Sequence, residues 1–214
     1  AALNAVARAS LKSSLMAAFS LVRLDASPNG ELSLSCFNGE TAARAVTLAA
    51  CDDDLSVCVD AQTLRDVVET LSGEIQVSLD ERAVILKNGA NRTTLRIVEE
   101  TIPTIGQEDT QVVASLPGSL LRSLLRALPF ASADDTRPNL QVLHLTFSEE
   151  TVTARGADGF TVGIVVENIQ GPTQPVVVPL LGSVGRLLSG LVEDGDTVQV
   201  QSSGSNHYLF QVTN

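Results

Sequence analysis

The side chains able to do chemistry are few and widely spaced in this chain. The two histidines, His144 and His207, stand alone on segments that alternate like strands, with no second ligand nearby. Cys36, Cys51 and Cys58 are odd in number and match no zinc or redox spacing. They point to a reducing compartment, each serving as a small apolar residue. Asp52-Asp53-Asp54 offers three carboxylates for a divalent cation, the one feature favouring a metal-dependent hydrolase. Consecutive side chains diverge, however, so a solvated loop is the expected reading. No phosphate-binding glycine loop, nucleophile elbow, His-Glu-x-x-His or Cys-x-x-Cys occurs. Asn91-Arg92-Thr93 fits the glycosylation pattern without a secretory context. The sequence therefore predicts no catalytic centre, no metal and no cofactor.

Composition narrows the alternatives. The chain has 214 residues, 44% of them hydrophobic and 3% aromatic, with a net charge of −11. So few aromatic faces disfavour recognition by base or sugar stacking. The acidic balance excludes simple electrostatic wrapping of nucleic acid, though not a basic patch on an acidic body. The apolar stretch Leu15 to Val22 follows Arg8 and Lys12 like a signal peptide. Arg23-Leu24-Asp25 offers no small-residue cleavage site, and no apolar run reaches the length of a membrane span. A cytoplasmic protein with no membrane partner is expected.

Most of the chain alternates like strands: 21–25 and 31–36 about a Pro28-Asn29-Gly30 turn, then 75–79, 83–87 and 92–98. Further strands are expected at 142–147, 151–155, 160–166, 176–178, 197–201 and 208–212. Helical periodicity covers about 3–14, 60–72, 117–130 and 180–191. Asp60 is placed to cap the second helix, and Pro117 and Pro179 to start the third and fourth. The pattern repeats at a spacing near 120, with Asn38-Gly39 falling on Asp158-Gly159 and Leu64 on Val184. The prediction is an α+β protein of two tandem similar domains, 1–107 and 108–214, divided within Thr101–Thr110.

The four helices carry Arg8, Lys12, Arg65, Arg122, Arg126 and Arg186 against Asp60, Asp66 and Glu69. This segregation predicts a basic helical surface and acidic sheets. A face of that kind meets phosphates by charge, without reading sequence.

Phe130-Ala-Ser-Ala-Asp-Asp-Thr-Arg-Pro-Asn-Leu140 resembles a segment of the bacterial DNA polymerase III β sliding clamps, Phe-Ala-x-Ser-x-Asp-Glu-x-Arg-Pro-x-Leu. This chain is one residue shorter within it. Val152 to Val162, containing Asp158-Gly159-Phe160-Thr161, is similar to the clamp's Leu-x-x-Val-Ala-Thr-Asp-Gly-His/Tyr-Arg-Leu. Val57 to Ala61, Val176 to Pro179, and Leu95 to Ile105 match the family's strand-to-helix passages and domain-closing strand. The resemblance spans essentially the whole chain. It implies two clamp-type domains, the first without its opening strand and the second without its closing one. It further implies a non-catalytic processivity factor that encircles double-stranded DNA as a homo-oligomeric ring, with polymerase and clamp-loader proteins as partners.

Lys12 falls where the family places a DNA-facing basic residue; with it Arg8, Arg65, Arg122, Arg126, Arg137 and Arg186 are the expected phosphate contacts, and Gly159, Phe160, Thr161 and Val162 a pocket for an apolar partner peptide. Some family features are changed. Basic pairs opening the second helix of each domain become Gln62-Thr63 and Leu180-Leu181, Phe160 replaces His or Tyr, and Thr161 replaces Arg. A paralogue serving as a protein-interaction scaffold without encircling DNA is the alternative.

Overall fold

The computed structural model describes residues 2–10, 16–28, 30–51, 53–100, 102, 109–134, 136–203 and 207–213. The chain divides into two compact units, Ala1–Gln107 and Glu108–Asn214. Asp52 and Lys12, singled out above, lie outside the described residues.

The first unit opens with α1 (Ala2–Ala7). Helical periodicity predicted a longer element, but the chain turns after Ala7. Ala9 N–H donates to Val6 O, and Ser10 donates to Ala7 O through both its N–H and its hydroxyl. A serine that satisfies the last carbonyls locally competes with continued helix. Strands β1 (Leu21–Ser27), β2 (Glu31–Phe37), β3 (Ala42–Leu48) and β4 (Leu55–Asp60) form an antiparallel sheet in the order β3-β2-β1-β4. The β1–β2 turn is made by Gly30, at φ +88°. Helix α2 (Ala61–Glu69) starts where expected, the Asp60 carboxylate accepting from Thr63 N–H at 2.7 Å. A smaller sheet, β5-β6-β7, follows from Gln76–Asp80, Ala83–Asn88 and Asn91–Arg96. Val6, Val22, Leu34, Cys36, Val59, Leu64 and Val84 meet in the core between helices and sheets.

The second unit has the same plan. Strand β8 (Thr110–Pro117) leads into α3 (Gly118–Leu124), which tightens into a 3-10 turn over Leu125–Phe130. The expected single helix ends early because Pro129 has no N–H to continue the ladder. Strands β9 (Val142–Phe147), β10 (Thr151–Ala157), β11 (Val162–Asn168) and β12 (Val176–Leu181) form the sheet β11-β10-β9-β12. Helix α4 (Gly182–Ser189) precedes β13 (Thr197–Ser203) and β14 (His207–Thr213), which complete β14-β13-β8. Pro179 is thus a strand residue opposite His144 rather than a helix start, and Leu180-Leu181 continue that ladder.

Two strands carried no clear alternation in the sequence. In β3 three of the seven residues are alanine, and none of the seven is fully buried. It is an edge strand held by its pairing with β2. Strand β8 runs directly into a helix, so its alternation covers only its buried end, Ala114 and Leu116.

The duplication is visible in detail. Gly39 and Gly159 both sit at φ +95°. Asn38 accepts from Glu40 and Thr41 N–H, as Asp158 does from Phe160 and Thr161 N–H. Because the loop between β11 and β12 is one residue longer than that between β3 and β4, the counterpart of Leu64 is Gly185 rather than Val184. Both are buried at the same step of their helices.

In the second unit the 3-10 turn is seated on a glycine pair. Gly156 and Gly163 are register partners on β10 and β11. A Cβ on Gly163 would come within 2.1 Å of the Phe130 ring, and one on Gly156 within 2.6 Å of Ala127 O. Gly163→Ala is expected to cost about 1–3 kcal/mol in denaturant unfolding through overpacking. Gly195→Ala, with nothing within 4 Å of the added methyl, should stay within about 0.5 kcal/mol of the parent.

The buried cysteines are inert. Burial pushes the Cys36 thiol up to about 12, with Cys58 adding a smaller effect, and burial also raises Cys58. A thiol reagent at pH 8 should therefore modify Cys51 rapidly and the other two only upon unfolding.

Candidate nucleic-acid interface

In each unit the helices rest one side on the sheet and leave arginines on the other. In the first, Val6, Ala7 and Ala9 are buried at 1%, 6% and 5% exposure, with Arg8 in solvent between them. In the second, Leu124, Leu125 and Ala127 are buried and Arg126 is exposed between them. The two arginines occupy equivalent positions. Helices α2 and α4 repeat the arrangement. Arg65 follows buried Ala61 and Leu64, as the exposed Arg186 follows buried Gly182 and Gly185. Each unit thus carries two arginines at equivalent positions, Arg8 and Arg126 just past its first helix and Arg65 and Arg186 on its second.

Their electrostatic states differ. Arg8, Arg126 and Arg186 have no ion-pair partner among the described residues. Arg65 is engaged along its own helix, Nε 3.5 Å from Glu69 and Nη2 3.6 Å from Asp66. Arg122 Nη1 donates to Asp194 Oδ1 at 3.0 Å. Asp194 was invisible to motif reading, since 72 residues separate the partners and only the fold joins them.

Arg137 is not on a helix. It precedes the short 3-10 turn Pro138–Leu140, pairs with Asp134 at 3.6 Å, and lays Nη1 3.1 Å from where a Gly159 Cβ would stand. Hydrogen bonds from the Thr136 hydroxyl and N–H hold the Asp134 carboxyl below its ordinary range, with a smaller contribution from Arg137. Arg137 therefore belongs spatially with the β10–β11 turn, a grouping made by the fold across 22 residues of chain.

The turn itself brings Gly159, Phe160, Thr161 and Val162 together. Asp158 Oδ1 accepts from Thr161 N–H at 2.7 Å and Phe160 N–H at 2.8 Å, and Oδ2 accepts from the Thr161 hydroxyl at 3.0 Å. Phe160 is 91% exposed, a projecting knob, and Val162, Ile164 and Val166 continue an exposed apolar stripe along β11. In the first unit the equivalent turn is covered by an aromatic side chain. Phe19 packs on Gly39 and meets Phe37 edge-to-face at 5.7 Å.

No three His, Cys, Asp or Glu side chains converge as a metal site among the described residues. A surface hollow is lined by Glu74, Gln76, Lys87 and Gly89. Among the described residues no helix is long and apolar enough to cross a membrane.

No protein-family profile matches the chain. It is similar to the beta sliding clamp of Streptomyces coelicolor, 26% identical over 182 residues, covering 82% of this chain and 48% of that protein. The chain thus spans about half the length of this curated relative. Among solved structures it resembles the DNA polymerase beta subunit of Streptococcus pyogenes (TM-score 0.88, 21% identity), covering 100% of this chain and 59% of that one. It is also similar to the sliding clamp of Bacillus subtilis (TM-score 0.84, 15% identity, 98% and 58% covered). The β subunit of DNA polymerase III from Pseudomonas aeruginosa gives a TM-score of 0.83 at 20% identity, with 100% and 61% covered. The α+β fold is that of the sliding clamps, and the resemblance read from the sequence is borne out.

The β10–β11 turn generates a pH prediction. Hydrogen bonds from Thr161 and Phe160 N–H hold the Asp158 carboxyl below its ordinary value. The stabilisation is complete above the unfolded-state carboxylate range and is lost as pH falls through the lower folded value. In an NMR titration the Phe160 and Thr161 amides should shift with a midpoint below 3.8, the ordinary aspartate value. Thr41, served by the non-titrating Asn38, should show no such transition, and Asp158→Asn should abolish it in the second unit.

Proposed function

We propose that the chain is a divergent member of the DNA polymerase III β sliding-clamp family, acting as a non-enzymatic processivity factor. It encircles double-stranded DNA within a homo-oligomeric ring and tethers a polymerase in replication or repair, in the cytoplasm. The observation that carries this reading is the duplicated placement of arginine in a clamp fold, Arg8 with Arg126 just past the first helix of each unit and Arg65 with Arg186 on the second. Exposed guanidinium groups on helix faces reach phosphate oxygens but read no bases, and contacts of that kind let a protein slide. Arg122 joins the same set, and Lys12 is a further phosphate contact proposed from the sequence alone. Arg137 contributes at the margin, since it already engages Asp134.

Polymerase and clamp-loader proteins are the expected partners. The turn Gly159–Val162, with Phe160 projecting and Arg137 beside it, is the proposed seat for an apolar partner peptide.

Fluorescence anisotropy against two duplexes of unrelated sequence and equal length tests the phosphate contacts. Affinities should be equal and fall with salt. Arg126→Ala and Arg186→Ala should each flatten the salt slope by about 0.9, the increment for one phosphate contact. Sequence preference, or slopes unchanged in both variants, would overturn the reading. Encirclement has its own test: protein retained on a circular plasmid should be released when the plasmid is linearised.

A further inference from the structure

We propose that Asp194 attenuates Arg122 as a phosphate contact, holding the second unit's grip on DNA below what its arginines would otherwise provide. The inference rests on the DNA-binding reading above.

The pair is built by the fold. Asp194 lies in the loop between α4 and β13, and that loop is clamped onto the start of α3. The buried Asp196, 8% exposed, accepts from Glu193 N–H at 2.7 Å through its carboxylate. Its carbonyl accepts from Gly118 N–H at 2.7 Å. Gly118 has no side chain, and any Cβ there would come within 1.9 Å of Glu193 O, so backbone meets backbone. This seat presents Asp194 to Arg122, one turn along the helix, at 3.0 Å. Both side chains remain half or more exposed, at 50% and 74%. The arginine is therefore available to a phosphate but must first exchange its carboxylate.

The duplicated unit provides an internal comparison. Where the second unit has Arg122, the first has Asn4, and where it has Asp194, the first has Gly73. Both halves of the pair occur in one unit and both are missing from the other. Arg126, on the same run of helix and 3-10 turn, has no acidic partner among the described residues. Arg126 thus serves as an unattenuated reference.

An exposed carboxylate competes weakly, and phosphates on DNA are many. Asp194→Asn should therefore tighten duplex binding by about two- to fivefold at low salt, the range expected for releasing an exposed ion pair. It should also steepen the salt slope by up to about 0.9 as Arg122 becomes a full contact. Asp194→Glu should leave binding near the parent. Glu149→Gln, on the β9–β10 turn, makes the same change in net charge and should tighten binding less. In an Arg122→Ala background, Asp194→Asn should gain no more than that charge control.

A gain from Asp194→Asn that equals the Glu149→Gln gain, or that survives Arg122→Ala, overturns the attenuation while leaving the DNA reading intact if Arg126→Ala still weakens binding. If the parent protein shows no salt-dependent binding and Arg126→Ala changes nothing, the DNA reading falls and the attenuation with it.

Discussion

The rest of the structure depends on burying one side of short helices against antiparallel sheet. A helix packed this way has no freedom in which residues face water. Once Val6, Ala7 and Ala9, at the end of α1 and the turn after it, or Leu124, Leu125 and Ala127, where α3 tightens into its 3-10 turn, are committed to the core, the residue between them points outward. In both units that residue is arginine. The same logic fixes Arg65 and Arg186 beside their buried Ala61–Leu64 and Gly182–Gly185 pairs. Apolar packing, which supplies most of the stabilisation, thereby also aims the charges. The acidic balance of the whole chain does not oppose this, because charge acts on phosphates locally and falls off over about a Debye length.

Duplication gives two copies of one solution, and divergence between them shows which parts are free to change. The turn dipeptides Asn38-Gly39 and Asp158-Gly159 keep one backbone geometry with two side-chain chemistries, one titrating and one not. Around them the packing differs more. An aromatic pair, Phe19 and Phe37, fills the seat over Gly39, whereas Leu140 and the Arg137 guanidinium lie nearest Gly159. The fold tolerates these exchanges because the sheets β3-β2-β1-β4 and β11-β10-β9-β12 carry the register independently of the turns.

Much of this was legible from the residues. Alternation located most strands, Asp60 marked its helix, and the repeat announced a two-unit chain. What escaped did so for physical reasons. Strand β3 has too little apolar alternation, being alanine-rich at an edge. The end of α3 was lost because helical periodicity passes through Pro129 unchanged while the hydrogen bonding does not. Positions 180 and 181 read as a helix opening, but they extend β12, where Leu180 is 1% exposed and could not host a charge. The arginines were recognisable by type and spacing. Their pairing with Asp194, Glu69 and Asp134 was less so, and the contact of Arg122 with Asp194 exists only in three dimensions.

The central claim, that helix arginines rather than the sheets meet DNA, is tested most directly by arginine footprinting. The protein would be treated with an arginine-selective dicarbonyl reagent, with and without duplex DNA, and modification read by mass spectrometry. The account predicts that DNA protects Arg8, Arg126 and Arg186 while the exposed Arg92 and Arg96 on β7, and Arg82 on the β5–β6 turn, react as before. Protection of the sheet arginines with the helix arginines still reactive would contradict it.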